Sequence, residues 1–514
     1  MDQLYQSISR REFIQTSAVA TVGLSLAPNL VFGKTKNADL MKRSMGLMNF
    51  EATTLGLGGQ GAIEQTPVGQ DPVKIILKAF EIGVNYFDTS NAYGRSQLRI
   101  GEAFKALNLI PGQAGYNEKL RNSIFLTSKT MIRWAKGGWE REGLGNWTEG
   151  YFGSKAITDL KRTMTQVFGD GNGTYPKGAY LDMVLIHNLT SMVEVDAVYE
   201  GLNNLTPNRD HIGALAALVD YRDGTNLTGL NPKEEKLIRH IGFSAHQNAA
   251  FAIEMLQRDT QNLLNGMLIA VNANDRLYFN MQYNAIPVAA AKGMGIIAMK
   301  VFADGAMYTK PAKWMWSPEK IIHTIGSPTL PSRDLIQYAL TTPGVGTAII
   351  GIGHISDNPQ ECQLVQNMAA AQIAPNGLSV EERRKIEKMA NVVKNGRTNY
   401  YQHPIIDDQQ APLPKSELTA PRMPLIDHQV RNDQRFVRLR WQTAYAGDEP
   451  IQKYEIWRDN QKIATVDHKP QTTKIPFTFE DKVQDKVAHT YKIVTVDAVN
   501  RTAATAEMPV ESLG

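Results

Sequence analysis

Phe87-Asp88-Thr89-Ser90-Asn91-Ala92-Tyr93-Gly94 continues a short apolar run, Val84-Asn85-Tyr86-Phe87, whose residue types mark a buried strand. That reading puts Asp88 at the strand's C-terminal end and Tyr93 five residues on, in the following loop. A carboxylate and a phenol leaving one strand end are a start for proton chemistry, but a phenol of pKa about 10 is a poor acid at neutral pH. A neighbouring ammonium would favour the phenolate and lower that pKa, and a carboxylate would hold the ammonium in place. The chain should therefore offer a lysine, and with it a histidine, at the ends of other strands. Lys129 closes Ile124-Phe125-Leu126-Thr127-Ser128-Lys129, and His187 closes Met183-Val184-Leu185-Ile186-His187.

Outward from that stretch, strand and helix patterns alternate from residue 53 onward. Strand candidates fall at 53–57, 84–88, 124–129, 183–187, 238–244, 268–272, 296–300 and 347–352, eight in all. Most are short continuous apolar runs, the mark of strands buried on both faces of a parallel sheet. Between them, 72–82 places Val73, Ile76, Leu77 and Phe80 three or four residues apart, and 155–168, 249–256, 281–292, 333–340 and 360–371 read as helices in the same way. Eight such units over about 340 residues predict a closed (β/α)₈ barrel with insertions. An open doubly wound sheet would also alternate, but Asp88, Lys129 and His187 at strand ends suit a barrel's active face better.

Three insertions follow strands and so should overlie that face. Residues 130–153 carry Trp134, Trp139, Trp147, Tyr151 and Phe152, and residues 302–318 carry Tyr308, Trp314 and Trp316. Residues 188–235 are mostly polar, with a helical patch near 212–219. Aromatic loops over a barrel mouth would stack on a sugar or another flat ligand, or pack against one another.

The 514 residues suffice for two or three domains. A net charge of +4 with no basic cluster interleaved with aromatics argues against a nucleic-acid partner. Cys362 is the single cysteine, which excludes an internal disulfide and a Cys-rich zinc site, and no metal site is expected. Ser9-Arg10-Arg11-Glu12-Phe13-Ile14 precedes a mildly apolar run at 13–32, the pattern of a twin-arginine export signal. Cleavage after Gly33 fits the small-residue rule, and the run is too polar for a membrane span. The expected compartment is therefore the periplasm or the exterior, with the twin-arginine translocase as a partner during export and no membrane span after cleavage.

Beyond residue 398 the composition shifts. Pro404, Pro412, Pro414, Pro421 and Pro424 punctuate a polar stretch that reads as a linker. Alternating runs follow at 436–441, 453–457 and 491–496, with Asp459-Asn460 as a turn, predicting a small antiparallel, immunoglobulin-like sandwich of about 90 residues. It resembles a fibronectin type III module in placing Trp441, Tyr454 and Tyr491 where that family keeps its core aromatics. The expected layout is a signal at 1–33, a barrel at 34–398, a linker at 399–423 and a sandwich at 424–514.

Residues 50–395 resemble an aldo-keto reductase, a family built on the TIM-type barrel. The matching stretches are Leu55-Gly56-Leu57-Gly58-Gly59, the run from Gly83 through Tyr93-Gly94, Leu126-Thr127-Ser128-Lys129 and Tyr180-Leu181-Asp182-Met183-Val184-Leu185-Ile186-His187. Ile238-Arg239-His240-Ile241-Gly242-Phe243-Ser244 and Gly293-Met294-Gly295-Ile296-Ile297-Ala298-Met299-Lys300 follow in order. The resemblance implies a catalytic tetrad: Tyr93 as general acid, Lys129 lowering its pKa, Asp88 anchoring Lys129, and His187 orienting the carbonyl. Singly, a strand-end Asp is often a helix cap and a lone His a core residue; four in family order weigh against that.

Gly56-Leu57-Gly58-Gly59-Gln60-Gly61 also spells the Rossmann glycine fingerprint, but no helix pattern follows it at once, so these glycines read as a barrel strand end passing close to cofactor or substrate. The resemblance puts Gly58, Gly59, Ser244, Asn272, Met299, Lys300, Gly351, Gly353, Gln366 and Asn367 at the cofactor. Ala245 replaces the family's carboxamide-holding Asn, Asn272 stands for a Gln, Met299 for a stacking Tyr, and Gln366-Asn367 for a Glu-Asn pair at adenine. Residues 352–367 hold no Lys or Arg, while Asp357 and Glu361 are acidic, which favours NAD over NADP because a 2′-phosphate calls for basic side chains. Export of a nicotinamide enzyme implies a tightly held, internally recycled cofactor. The expectation is hydride transfer to or from a carbonyl or hydroxyl compound, sugar-like given the aromatic loops. The alternatives are a cofactor-assisted lyase or hydrolase without net redox, and a non-catalytic dinucleotide-binding regulatory module.

Overall fold

A computed structural model of the chain describes residues 40–141, 154–278, 280–308, 310–313, 319, 326–398 and 417–513. The export pattern at 1–33, Trp147, Trp314, Trp316 and most of the linker lie outside the described residues.

A short antiparallel hairpin, β1 (Lys42–Ser44) and β2 (Glu51–Thr53), precedes the barrel. The barrel strands are β3 (Leu55–Gly58), β4 (Tyr86–Asp88), β5 (Phe125–Thr130), then, after a short β6 (Trp134–Lys136), β7 (Leu181–Ile186). A two-residue β8 (Ile212–Gly213) leads to β9 (Ile238–Ala245), β10 (Leu264–Ala270) and β11 (Gly295–Met299). The small hairpin β12 (Gly326–Ser327) and β13 (Leu330–Pro331) comes before β14 (Val345–Ile350). Strands β3, β4, β5, β7, β9, β10, β11 and β14 are parallel neighbours in that order, and β14 pairs back onto β3 to close the ring. All eight predicted strands are there; β10 starts four residues before its apolar run because Asn265 and Gly266 interrupt the pattern.

The ring separates two apolar cores. Tyr86, Phe125, Met183, Leu185, Leu268, Ile297 and Ile349 fill its interior, while Leu57, Phe87, Leu126, Val184, Ile241 and Ile296 point outward against the helices. Alternate side chains along each strand must face opposite ways, so both faces need apolar residues and the strands read as continuous runs. The helix Pro72–Glu81 shows how local chemistry sets the intervening elements. Asp71 accepts from the Val73 and Lys74 amides, Pro72 opens the first turn, Ile75, Ile76 and Ala79 are buried, and Gly83 at φ +91° follows the end.

The two long insertions are joined. β6 pairs antiparallel with β8, so residues 130–141 and 188–235 form one structure above the barrel.

The C-terminal region is all-β: β15 (Arg422–Arg431), β16 (Gln434–Gln442), β17 (Ile451–Arg458), β18 (Gln461–Asp467), β19 (Phe477–Val483), β20 (His489–Asp497), β21 (Thr502–Ala504) and β22 (Met508–Val510). One sheet runs β15-β16-β19 and the other β18-β17-β20-β21 with β22 on β20. Val437, Leu439, Trp441, Tyr454, Ile456, Tyr491 and Ile493 are buried between them. Asp459 and Asn460 have φ of +49° and +63°, the tight hairpin turn expected between β17 and β18. The first sheet begins at Arg422, two residues ahead of the expected boundary. Among the described residues no helix is long and apolar enough to cross a membrane.

Candidate active site

Adjacent parallel strands deliver their last residues side by side, and here that convergence is chemical. β4 ends on Asp88 and β5 carries Lys129, whose Nζ donates to Asp88 Oδ1 and, at 2.9 Å, to the Thr89 carbonyl. Asp88 and Lys129 are 2 % and 1 % exposed, so the ion pair is fully desolvated. The same ammonium lies 4.5 Å from the centre of the Tyr93 ring. His187, one residue past β7, meets that ring edge-on at 5.7 Å, with Nδ1 3.5 Å from Ser90 Oγ. The four predicted residues are thus together at the C-terminal mouth of the barrel.

The loop carrying Tyr93 is held from several sides. The Thr89 and Asn91 amides continue the β4–β5 pairing by donating to Thr127 and Lys129 carbonyls. The Asn91 side chain donates to Asp159 O at 2.9 Å and Thr163 Oγ1 at 2.7 Å, and accepts from Arg162 Nε at 2.7 Å. Ser90 Oγ accepts from the Ala92 amide, and the Ser96 amide donates to Tyr93 O as the next helix begins.

Burial lowers the Lys129 ammonium from its ordinary value and raises the Asp88 carboxyl, each opposed by its partner's charge. Burial, and then the Lys129 charge, hold His187 well below the usual imidazole range. His246 sits behind it at a ring separation of 5.8 Å and is lowered by burial, then Lys300 and Lys129. His187 is therefore a neutral imidazole at pH 7, with one nitrogen able to donate and the other to accept.

Beside the tetrad opens a cleft. Gly58, Gly59, Gly61 and Gly351 form one wall, and Met299, Lys300, Phe302, Asp304 and Lys310 the other, with Asp88 and Tyr93 between. A Cβ on Gly59 would meet the Asp88 carbonyl at 2.4 Å, and one on Gly351 would meet Gly61 Cα at 3.1 Å, so this wall is bare backbone by necessity. Opposite it, Lys300 and Lys310 share Asp304 at 3.1 and 3.2 Å, and Lys300 reaches across to Gln60 at 2.9 Å. Lys300 and Lys310 thus place two ammoniums along this edge, with the Asp304 carboxylate between them. A bare backbone wall facing such an edge fits an elongated ligand carrying phosphates.

Of the sequence-assigned cofactor residues, Gly58, Gly59, Met299, Lys300 and Gly351 line this cleft. The other five do not line it and sit in the framework around it. Ser244 Oγ accepts from the Asn188 amide at 2.9 Å and so pins the segment behind His187. Asn272 donates to the Lys300 carbonyl at 3.2 Å. The Gly353 amide donates to Gln363 Oε1, Gln366 turns to the Pro359 carbonyl, and Asn367 is fully buried with Oδ1 accepting from Ser332. Trp134, expected in a loop over the barrel mouth, is fully buried and packed by His211 and Arg141, because the β6–β8 pairing folds its loop inward. Trp139 is half-buried against the outer core, its indole N–H on the Ser154 carbonyl at 2.7 Å. Sequence reading missed Gln60, Asp304 and Lys310; Lys300 and Asp304 meet through left-handed backbone at Lys300, Ala303 and Asp304 and not on one helix face, so their spacing carries no sign of the contact. Among the described residues no group of three or more His, Cys, Asp or Glu is placed to hold a metal ion.

Residues 54–313 match the aldo/keto reductase family. The chain is similar to the uncharacterized oxidoreductase YqkF of Bacillus subtilis (strain 168), 19% identical over 351 residues, covering 65% of this chain and 91% of that protein. Among solved structures it is similar to an aldo-keto reductase from Klebsiella pneumoniae in complex with NADPH, at 17% identity and a TM-score of 0.42, covering 68% of this chain and 95% of that one.

Proposed function

The chain belongs to the aldo/keto reductase family, and from that premise we propose that it is an exported nicotinamide-dependent oxidoreductase of a carbonyl or hydroxyl compound, sugar-like in character. The observation that carries this reading is the Lys129 ammonium, fixed by Asp88 and set 4.5 Å from the Tyr93 ring centre beside an open cleft. A bound nicotinamide would supply or remove the hydride. The protein's own residues handle the proton. Tyr93 delivers it to the carbonyl oxygen, or takes it from the alcohol in the reverse direction, and Lys129 makes the phenolate cheaper to form. Asp88 keeps that ammonium in place, and neutral His187 donates a hydrogen bond that orients the substrate oxygen. Gly58, Gly59 and Met299 would flank the flat ring system, and Lys300, Lys310 and the Gly351 backbone would hold the phosphates.

Replacing Tyr93 by Phe is expected to lower kcat by at least about a hundredfold while dinucleotide affinity stays unchanged. Turnover retained in Tyr93→Phe would end the tetrad assignment. NAD(H) is the favoured dinucleotide, because residues 352–367 offer no Lys or Arg to a 2′-phosphate. Titration with both cofactors decides it, and NADP(H) binding tenfold tighter would reverse it.

The Ser9-Arg10-Arg11-Glu12-Phe13-Ile14 pattern supports export, and Arg10→Lys with Arg11→Lys should retain the protein in the cytoplasm. Export favours a dinucleotide carried through in the folded chain and recycled in place. For the same reason a lyase or hydrolase using transient oxidation without net redox is the second reading, told apart by products formed at substoichiometric cofactor. The third, a non-catalytic regulatory subunit, is opposed by the complete tetrad. The sandwich is read as a fibronectin type III-like module on its core aromatics Trp441, Tyr454 and Tyr491.

A further inference from the structure

The segment after β10, residues 272–284, faces two ways. On its inner side Asn272 is fully buried, its amide donating to Asp275 Oδ2 at 3.1 Å and its side chain accepting from the Asn274 amide at 3.0 Å. The Asn272 side chain also donates to the Lys300 carbonyl, and Lys300 Nζ bonds Gln60 and Asp304 on the two walls of the cleft. On its outer side the same segment grips the sandwich. Arg276 donates to the Asp448 carbonyl at 2.6 Å and pairs with Glu387 at 2.8 Å, with the Asp448 and Glu449 carboxylates at 3.4 and 3.7 Å. Asn284 reads the Ala446 backbone both ways, accepting from its amide at 2.8 Å and donating to its carbonyl at 3.2 Å. Asn280 donates to the Gly447 carbonyl at 2.9 Å. Tyr445, between β16 and β17, is fully buried and belongs to the barrel's outer apolar core.

These contacts differ from those of a tethered passenger. Side-chain amides pairing with buried backbone groups of another unit require one fixed position, since a shift leaves the groups on both sides unsatisfied. We infer that the sandwich is a structural part of the cofactor cleft, and that Arg276 is the positioning residue through which it holds residues 272–275 and Lys300 in place. Arg276 touches neither the cleft nor the tetrad. It acts because Asp275, its neighbour in the chain, receives the Asn272 amide, and Asn272 in turn holds the Lys300 backbone. The effect on dinucleotide binding rests on the function proposed above; the effect on the order of the loop does not.

The test uses the full-length protein with Arg276→Gln and Arg276→Lys. Arg431→Gln, which breaks an exposed ion pair between β15 and Glu480 on β19, serves as the control. Amide hydrogen exchange and NADH and NADPH titration are measured on each. In Arg276→Gln, exchange is expected to rise at residues 272–275 and 300–304, and dinucleotide Kd to weaken about tenfold, the KM for dinucleotide rising while kcat changes less than twofold. Arg276→Lys, which keeps the charge, is expected to recover part of the loss, and Arg431→Gln to match the parent. If Arg276→Gln does not fold, Asn284→Ala, which removes the reciprocal pairing with Ala446, is read by the same criteria. Faster exchange confined to 276–284 and 443–449, with 300–304 as protected as in the parent, would overturn the inference. If the parent binds neither dinucleotide the proposed cofactor falls instead, and exchange at 300–304 still decides the brace.

Discussion

Asp275 holds its carboxyl group where a charge is costly. Burial pushes it up to about 7, against which the Asn272 amide offers partial relief. An unfolded Asp ionises near 3.9. Between pH 4 and 7 the unfolded chain therefore releases a proton that the folded chain keeps, so folding stability falls as pH rises through that window and is level above it. Asp275→Asn retains an acceptor for the Asn272 amide and removes the titration. Its melting temperature should gain on the parent's from pH 4 to pH 7, with an upper bound of about 4 kcal/mol. An equal difference at pH 4 and pH 7 would show that the carboxyl is not held protonated. Three members of the tetrad are legible at this scale because Asp88, Lys129 and His187 each close an apolar run, and Tyr93 follows in the loop five residues after Asp88. Lys310 was not legible, because its partner Asp304 becomes its neighbour only through the left-handed turn at Ala303 and Asp304, both at positive φ.

Single elements are tied to the barrel by ion pairs that apolar periodicity does not reveal. The short helix Glu118–Asn122 lies before β5, and its Arg121 donates to Asp182 Oδ2 on β7 at 2.8 Å and to the Tyr180 carbonyl at 2.7 Å. Both ionic side chains are nearly inaccessible, at 1 % and 4 % exposed. The guanidinium also lies 3.9 Å from the Tyr180 ring centre. Asp182 accepts from the Leu126 amide as well, so the pair joins two barrel strands through one carboxylate. Arg121→Met would leave Asp182 buried with, among the described residues, the half-exposed Arg239 at 3.4 Å as its remaining ion-pair partner. A loss of about 3–5 kcal/mol is expected in denaturant melts, with kcat per folded molecule unchanged because the tetrad is untouched. A loss below about 1 kcal/mol would mean that Arg239 takes over the pairing. The same hidden polarity explains why the helix Ser96–Ala106 was missed. Gln97 is buried and bonded to Ser128 and Thr163, so the apolar stripe is broken where the helix meets the barrel. The helix Val380–Val392 carries its own sequence signal, the capping box of Ser379 and Glu382. The predicted helix over 281–292 is shorter, Ala285–Ala291, because Asn280 and Asn284 are committed to the sandwich.

Across the whole molecule, the docking of sandwich on barrel was the least legible feature, since it is made by Asn amides and a Pro-punctuated linker gives no sign of them. Protonation state is the other property that spans both units. His187 and His246 at the barrel mouth, His240 inside the barrel and His468 in the sandwich are all lowered, chiefly by burial, with His468 at about 4. In the unfolded chain each titrates near 6.5. As pH falls through 6.5 the unfolded chain takes up protons that these four refuse in the folded state, so stability is lost from pH 7 downward, opposite in sign to the Asp275 effect. A second loss follows below pH 4, where Asp304, Asp448 and Glu254, all held below the usual carboxylate range against burial by nearby cations, must be protonated. His468 isolates one contribution to the first stage. It lies against Phe477 with Nδ1 3.2 Å from the Tyr454 hydroxyl, remote in sequence from the tetrad. His468→Gln keeps a polar partner for Tyr454 and cannot titrate. Between pH 6 and pH 5 the parent should lose about 1 kcal/mol more stability than the variant, since one proton's difference amounts to about 1.4 kcal/mol per pH unit at full slope. Chemical denaturation at the two pH values measures it, and parallel losses in parent and variant would place His468 among groups that ionise alike in the folded and unfolded chain.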